Sequence, residues 1–379
     1  MTSARFLLAR LAAAAAALVL LVGGLSCCSR NPATAPSTTP APPLAALIER
    51  LSESGGYFDT DNLISNETSF LQVGDALGSS AGGAYLGVGP DQNFTYIARL
   101  RPRWAFIVDI RRQNMLEHLL FNAIFEKAET PLAYLSWLFS RPLPPSSWPG
   151  EGEPARGLLA ALEASPARAE LFEQNLAAVL QHIERRLAFP LADQDRADLR
   201  SLYRAFFEGQ LELRFHSHGR PPLPYHPTFR ELVSARSPSG REGNFLTSSS
   251  DYGFVRDLAR AGRIVPVVGD FAGPTSLKAI GGFLRERGET VGAFYLSNVE
   301  FYLIRSGRFG SFVTNLKELP LAEESLFIRA YFDYGLAHPA GLPGHRSTTL
   351  LQRIPRFLTL YETGVYRSYW DVCTLDYLH

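Results

Sequence analysis

The sequence predicts an α/β domain on a mostly parallel sheet, with a large helical insertion between the second and third core strands. Three observations predict it. An apolar run, Ala84-Tyr85-Leu86, enters the turn Gly87-Val88-Gly89-Pro90, and Phe94, Ile97, Ala98 and Leu100 leave it at helix-like spacing. A second apolar run, Trp104 to Val108, ends on Asp109, about twenty residues past the glycines. Two later runs, Ile264 to Val268 and Val291 to Leu296, also end in polar residues: Gly269-Asp270-Phe271 and Ser297-Asn298-Val299-Glu300. In an open α/β sheet, the carboxyl ends of the strands form the edge that binds ligands.

Strand, glycine turn, helix, strand and acid are the parts of a Rossmann-like nucleotide pocket. Glycines let backbone approach a ligand where a Cβ would collide. The helix that follows offers free N–H groups. Asp109 is placed to accept hydrogen bonds from ribose hydroxyls, with Ile110 beside it. The third glycine of a dinucleotide turn is absent, and Asp91 would repel a pyrophosphate. Asp91 suits a ligand ammonium group instead, which favours a nucleoside-like ligand without phosphates, such as S-adenosylmethionine, over NAD. The competing reading is an α/β core whose turn binds nothing and whose strand-end acids cap helices.

The chain has 379 residues, 46% of them hydrophobic, enough for a substantial core. Formal net charge is zero, so no basic surplus points to nucleic acid. Residues 1–28 have a basic start (Arg5, Arg10), an all-Ala/Leu/Val stretch from Leu11 to Val22, and a close at Cys27-Cys28. They read as an export segment of lipoprotein type with Cys27 or Cys28 as the modified residue. A plain signal peptide or an uncleaved anchor is the alternative. Residues 29–43, rich in Pro, Thr, Ser and Ala, read as a linker that holds a folded domain, 44–379, off a membrane. Only Cys373 lies in that domain, so neither an internal disulfide nor a multi-cysteine zinc site is expected.

Leu44 to Leu51 reads as a short amphipathic helix. Tyr57 to Ser69 is dense in short polar side chains and has three readings: helix capping through Ser69-x-x-Gln72, a pocket mouth formed by Asp59, Asp61, Asn62 and Asn66, or a calcium loop. Gln113 to Ala128 is a helix, Thr130-Pro131 opens another, and 156–208 reads as helical throughout. No strand pattern appears from 113 to 209, and the insertion spans about 113–235. His216, His218 and His226 raise a zinc site, but no carboxylate stands at fixed spacing, and no metal is expected. Thr228-x-x-Glu231 is a capping box. Pro266 is awkward inside a central strand. Leu326 to Tyr331 is a fifth strand, Leu350 to Tyr361 a helix around Pro355, and Ser368 to Leu375 a last strand, antiparallel to the rest.

With Gly87-Val88-Gly89, Asp109, Gly269-Asp270 and Ser297-Asn298 in this order, the chain resembles class I S-adenosylmethionine-dependent methyltransferases. The resemblance implies roles. Gly87, Gly89 and Asp91 would take the methionine part, and Asp109 and Ile110 the ribose. Asp270 and Phe271 would flank adenine, and Ser297 would lie near the methyl. Asn298, Glu300 and Tyr302 would face the methyl acceptor. The chain also resembles a family of uncharacterised bacterial proteins carrying Gly-Val-Gly-Pro-Asp-Gln-Asn-Phe-Thr-Tyr-Ile, Val-Asp-Ile-Arg-Arg, Val-Val-Gly-Asp-Phe-Ala-Gly-Pro and Tyr-Leu-Ser-Asn-Val-Glu. The expected function is a membrane-tethered methyltransferase-like protein in the cell envelope. The alternative is a non-catalytic envelope lipoprotein that uses a Rossmann-like scaffold to bind a ligand or partner.

Overall fold

The computed structural model describes residues 42–77, 82–144, 154–220, 223–333 and 335–378. The expected export segment and nearly all of the linker lie outside them. The architecture is α/β, with one six-stranded mixed sheet and helices throughout the chain. Helix α1 (Leu44–Leu51) and the single turn α2 (Gly74–Leu77) precede β1 (Ala84–Gly87), α3 (Gln92–Leu100) and β2 (Trp104–Asp109). Between β2 and β3 the chain runs through α4 (Arg112–Lys127), α5 (Pro131–Leu138), α6 (Pro154–Glu163), α7 (Ala169–Gln181), α8 (Asp193–Gly209), α9 (Phe229–Val233) and α10 (Ser249–Arg260). Then come β3 (Ile264–Val268), α11 (Ser276–Glu286), β4 (Val291–Ser297), α12 (Val299–Arg305) and α13 (Phe309–Leu316). The chain closes with β5 (Leu321–Phe332), β6 (Ser347–Arg353), α14 (Ile354–Glu362) and α15 (Tyr369–Thr374).

The strand order is β3-β2-β1-β4-β5-β6. β1 to β5 pair in parallel, and β6 runs antiparallel to β5. All residues of β1, β2 and β3 are buried, as expected for parallel strands covered on both faces. Pro266 fits because β3 is an edge. The Gly269 N–H donates inward to the Asp109 carbonyl, while the Val268 N–H donates outward to Ser52 Oγ at 3.1 Å. Alternation puts residue 266 on the outward side, where β2 needs no donor.

Two elements differ from the sequence reading. The antiparallel strand is Ser347–Arg353, not Ser368 to Leu375, and the helix around Pro355 begins only at Ile354. Ser347, Thr348, Thr349 and Gln352 look like surface residues but are buried. Their polar atoms are met within the fold: Ser69 Oγ lies 2.8 Å from Ser347 Oγ and 3.1 Å from Thr349 Oγ1. Ser69 therefore braces β6 rather than capping a helix, and the Gln72 side chain bonds Ala340 and Thr349. The stretch read as a last strand is α15, started by a capping box in which Ser368 and Asp371 satisfy each other's backbone N–H groups. Thr228 and Glu231 form the box expected of them.

One ion pair ties α12 to the sheet. Arg329 on β5 is 1% exposed and Glu300 on α12 is 0% exposed. The guanidinium grips both Glu300 oxygens, donates to Gln352 Oε1 at 2.7 Å, and lies 4.4 Å from the centre of the Phe327 ring. Glu300 therefore closes a core pair and does not face an acceptor. Removing one partner of a buried pair strands the other. Glu300→Ala is expected to lower stability by about 3–5 kcal/mol in urea denaturation. A loss under about 1 kcal/mol would contradict this role.

Candidate functional site

The carboxyl ends of β3, β2, β1 and β4 are covered by residues 52–67, which follow α1 and cross the strand ends in that spatial order. Glu53 sits at β3. Its carboxylate accepts from the backbone N–H groups of Asp270 (2.9 Å), Thr275 (2.8 Å) and Ser276 (3.3 Å). The Gly56 N–H donates to the Ile110 carbonyl at 2.7 Å, just past β2. Over the turn after β1, Asn62 has a left-handed φ of 49°, and its amide nitrogen lies 3.1 Å from where a Cβ on Gly89 would stand. Glu67, 1% exposed, ends the crossing at β4. It accepts from Tyr295 OH at 2.7 Å, Ser297 Oγ at 2.5 Å and Gln92 Nε2 at 3.0 Å.

Arg111 joins this segment to the sheet. Its Nε and Nη2 donate to the two Asp109 oxygens at 3.0 and 2.8 Å, and its backbone N–H adds a third bond to Asp109 at 2.9 Å. Its Nη1 donates to the carbonyls of Thr60 (3.2 Å) and Asp61 (2.6 Å). Both side chains are 6% exposed. A planar fork suits this double role, because the guanidinium can grip a carboxylate on one side and backbone on the other.

These contacts correct several expectations. Gly87 does not face a ligand. A Cβ there would lie 2.0 Å from Asn93 Oδ1, and Asn93 is completely buried. Asn93 accepts from Tyr85 OH at 2.8 Å and donates to the carbonyls of Val88, Gly89 and Pro90, so the turn closes on its own side chain. Asp109 is engaged by Arg111 rather than held open for ribose. Phe271, 3% exposed, packs on Phe294 and Phe312 in the core instead of flanking adenine. Ser297 adopts φ 49° and gives its hydroxyl to Glu67. Tyr302 stands at the surface edge-on to Phe58, ring centres 4.9 Å apart.

The open space lies one strand over. A cavity of about 510 Å³ sits at the ends of β2 and β3, between residues 52–56, Ile110, Asp270, the Gly273-Pro274-Thr275 turn and Arg308. Of the expected ligand residues, Ile110 and Asp270 line it. Asp270 is fixed by the Ala272 N–H at 2.8 Å and by an ion pair with Arg308. Gly55 and Gly56 form one wall at close quarters: a Cβ on Gly56 would lie 2.6 Å from Ile110 Cδ1. Among the described residues, no three His, Cys, Asp or Glu side chains group as a metal site. His216 Nδ1 instead lies 3.8 Å from Asp61. Glu53, Glu67, Arg111 and Arg308 organise this edge and were not singled out from sequence. Arg111, two residues after the strand-end acid, was the one readable signal, since that spacing lets a fork turn back on the carboxylate.

Beneath the turn, burial sets protonation. Asp91 lies beside Glu117 and Tyr134, and loss of water pushes its carboxyl up to about 7. Burial drives Glu117 well above the usual carboxylate range and drops His118 to about 4. His118 is thus neutral, and its Nε2 donates to the Gly89 carbonyl at 2.9 Å. Folded Asp91 keeps a proton between about pH 4 and 7 that the unfolded chain has released, so its contribution to stability is lost as pH rises through that window. Asp91→Asn should therefore stabilise the protein more at about pH 8 than at about pH 5 in thermal melts. An equal effect at both would contradict a buried carboxyl.

No curated protein matches the chain. A family model described as a domain of unknown function, DUF7790, matches residues 62–141 and 155–363, from the middle of the crossing segment through α14. The chain belongs to that family.

Proposed function

We propose that this protein is a membrane-tethered, Rossmann-like ligand-binding protein whose site takes a nucleoside-like molecule without phosphates. The observation that carries the reading is the cavity at the ends of β2 and β3, bounded by Ile110, Asp270 and the Gly55-Gly56 wall. Its volume lies in the range of small-molecule sites. Its charged groups are two carboxylates, Glu53 and Asp270, and one guanidinium, Arg308. That balance disfavours a phosphate. Glu53 is already engaged by backbone N–H groups, so Asp270, beside Arg308, is the carboxylate left to meet a hydroxyl or amino donor. The strand order supports the Rossmann-like reading, with β1 beside β4 where the order turns back. On this reading the helices from α4 to α9 are the insertion, the segment before residue 29 is the export signal with its lipid anchor, and the domain works in the cell envelope.

Methyl transfer is the second reading, supported by the strand order and the resemblance to class I methyltransferases. S-adenosylmethionine would lie along the ends of β1 and β4, which requires Glu67 to leave Tyr295 and Ser297, and Arg111 to release Asp109. Neither contact is easily given up, and S-adenosylmethionine is a cytosolic metabolite, so binding without catalysis is the better-supported function.

Calorimetry on the purified full chain tests this with adenosine, S-adenosylmethionine and its demethylated product. At least one should bind one-to-one, and Ile110→Trp, which fills the cavity from the β2 side, should weaken it by about tenfold or more. No heat with any of the three would end the reading. Methylated product formed from S-adenosylmethionine and an envelope extract would favour the second.

A further inference from the structure

A second cavity, of about 340 Å³, lies on the other side of the crossing segment, between residues 56–63 and one face of α8. Gly56 lines both cavities. Phe58, Tyr57, Leu63 and Leu202 give it flat and apolar walls. Its polar lining includes two carboxylates, Asp61 and Asp198, beside Thr60, Ser201, Gln113, His218 and Arg111. Asp61 Oδ1 accepts from the His216 N–H at 3.1 Å, and burial raises the Asp61 carboxyl. Asp198 accepts from the amides of Gln113 and Gln194 at 3.0 and 2.8 Å. Among the described residues neither acid forms an ion pair with an arginine or lysine, and the nearest basic group to the Asp61 carboxylate is His216, whose Nδ1 lies 3.8 Å from Asp61 Oδ2. Arg111 also borders the cavity, but its charge is balanced by Asp109 and its nitrogens already donate to Asp109, Thr60 and Asp61. Thr60 is 9% exposed, and its hydroxyl oxygen is buried without a partner. A buried hydroxyl without a bond is unfavourable, and a ligand donor would satisfy it.

We infer that this cavity is a separate binding site for a primary ammonium group carried on a flat apolar body. The ammonium would donate to Asp61 and to Thr60 Oγ1. The body would lie between the Phe58 and Tyr57 rings and the Leu202 side of α8, where aromatic faces also favour a cation. With a nucleoside in the first cavity, the two ligands would face each other across Gly56, the one wall residue they share. The site itself does not depend on the first cavity being filled.

Tyramine is the probe, and 4-hydroxyphenethyl alcohol is its uncharged counterpart. In calorimetry on the full chain without nucleoside, tyramine should bind one-to-one, and the alcohol about tenfold or more weakly. Asp61→Asn should weaken tyramine by a similar factor. Ala205→Trp, on α8, should abolish binding by filling the cavity while leaving the circular dichroism spectrum unchanged. Equal affinity for amine and alcohol, tyramine binding that survives Ala205→Trp, or no binding of tyramine would each overturn the proposal.

Discussion

The edge of the sheet depends on one guanidinium. Arg111 is nearly buried, holds both oxygens of Asp109, and offers its remaining nitrogen to two carbonyls of the crossing segment. Burying an arginine and a carboxylate is costly unless every donor and lone pair finds geometry this good. Satisfying Arg111 fixes the position of residues 60–61. Glu53 and Glu67 then fix the two ends of the segment on β3 and β4. The segment is pinned at three places along its length, and what remains open is decided by where it is pinned.

Two consequences follow from that placement. The crevice between β1 and β4, where strand order turns back, is filled by Glu67 and by the Asn93 that closes the glycine turn. Open volume appears instead on both sides of Gly56, the residue that lines both cavities. The same polar residues that would recognise a ligand in an empty Rossmann-like pocket here recognise the chain's own backbone. That shifts the functional reading from chemistry at β4 toward binding beside β2 and β3.

The sequence was most informative where physics is local. Apolar runs ending in polar residues located the parallel strands β1 to β4, because strands buried on both faces must be apolar. The capping box at Thr228 and the N-cap at Thr130-Pro131 were readable from capping chemistry. It was least informative where distant residues satisfy one another. Ser347 to Gln352 carry too many hydroxyls and amides to read as a buried strand until Ser69, Gln72 and Arg329 are seen beside them. The glycine turn read as a ligand cradle because Asn93, six residues after Gly87, gave no hint that it folds back beneath it. Asp109 was located correctly at a strand end, but its partner Arg111 changes what it can do. The polar run from Tyr57 to Ser69 left capping, pocket mouth and calcium binding open, and its course over the strand ends depends on contacts with residues far away in the chain.

Amide hydrogen exchange, with and without a saturating nucleoside, tests the central claim most directly. If the ligand lies between the crossing segment and the ends of β2 and β3, exchange should slow at Glu53 to Gly56 and at Asp270 to Ser276, with Gly87 to Gly89 and Tyr295 to Ser297 unchanged. Slowing confined to the β1 turn and the end of β4, with faster exchange from Thr60 to Glu67, would contradict it and show a ligand that displaces the segment.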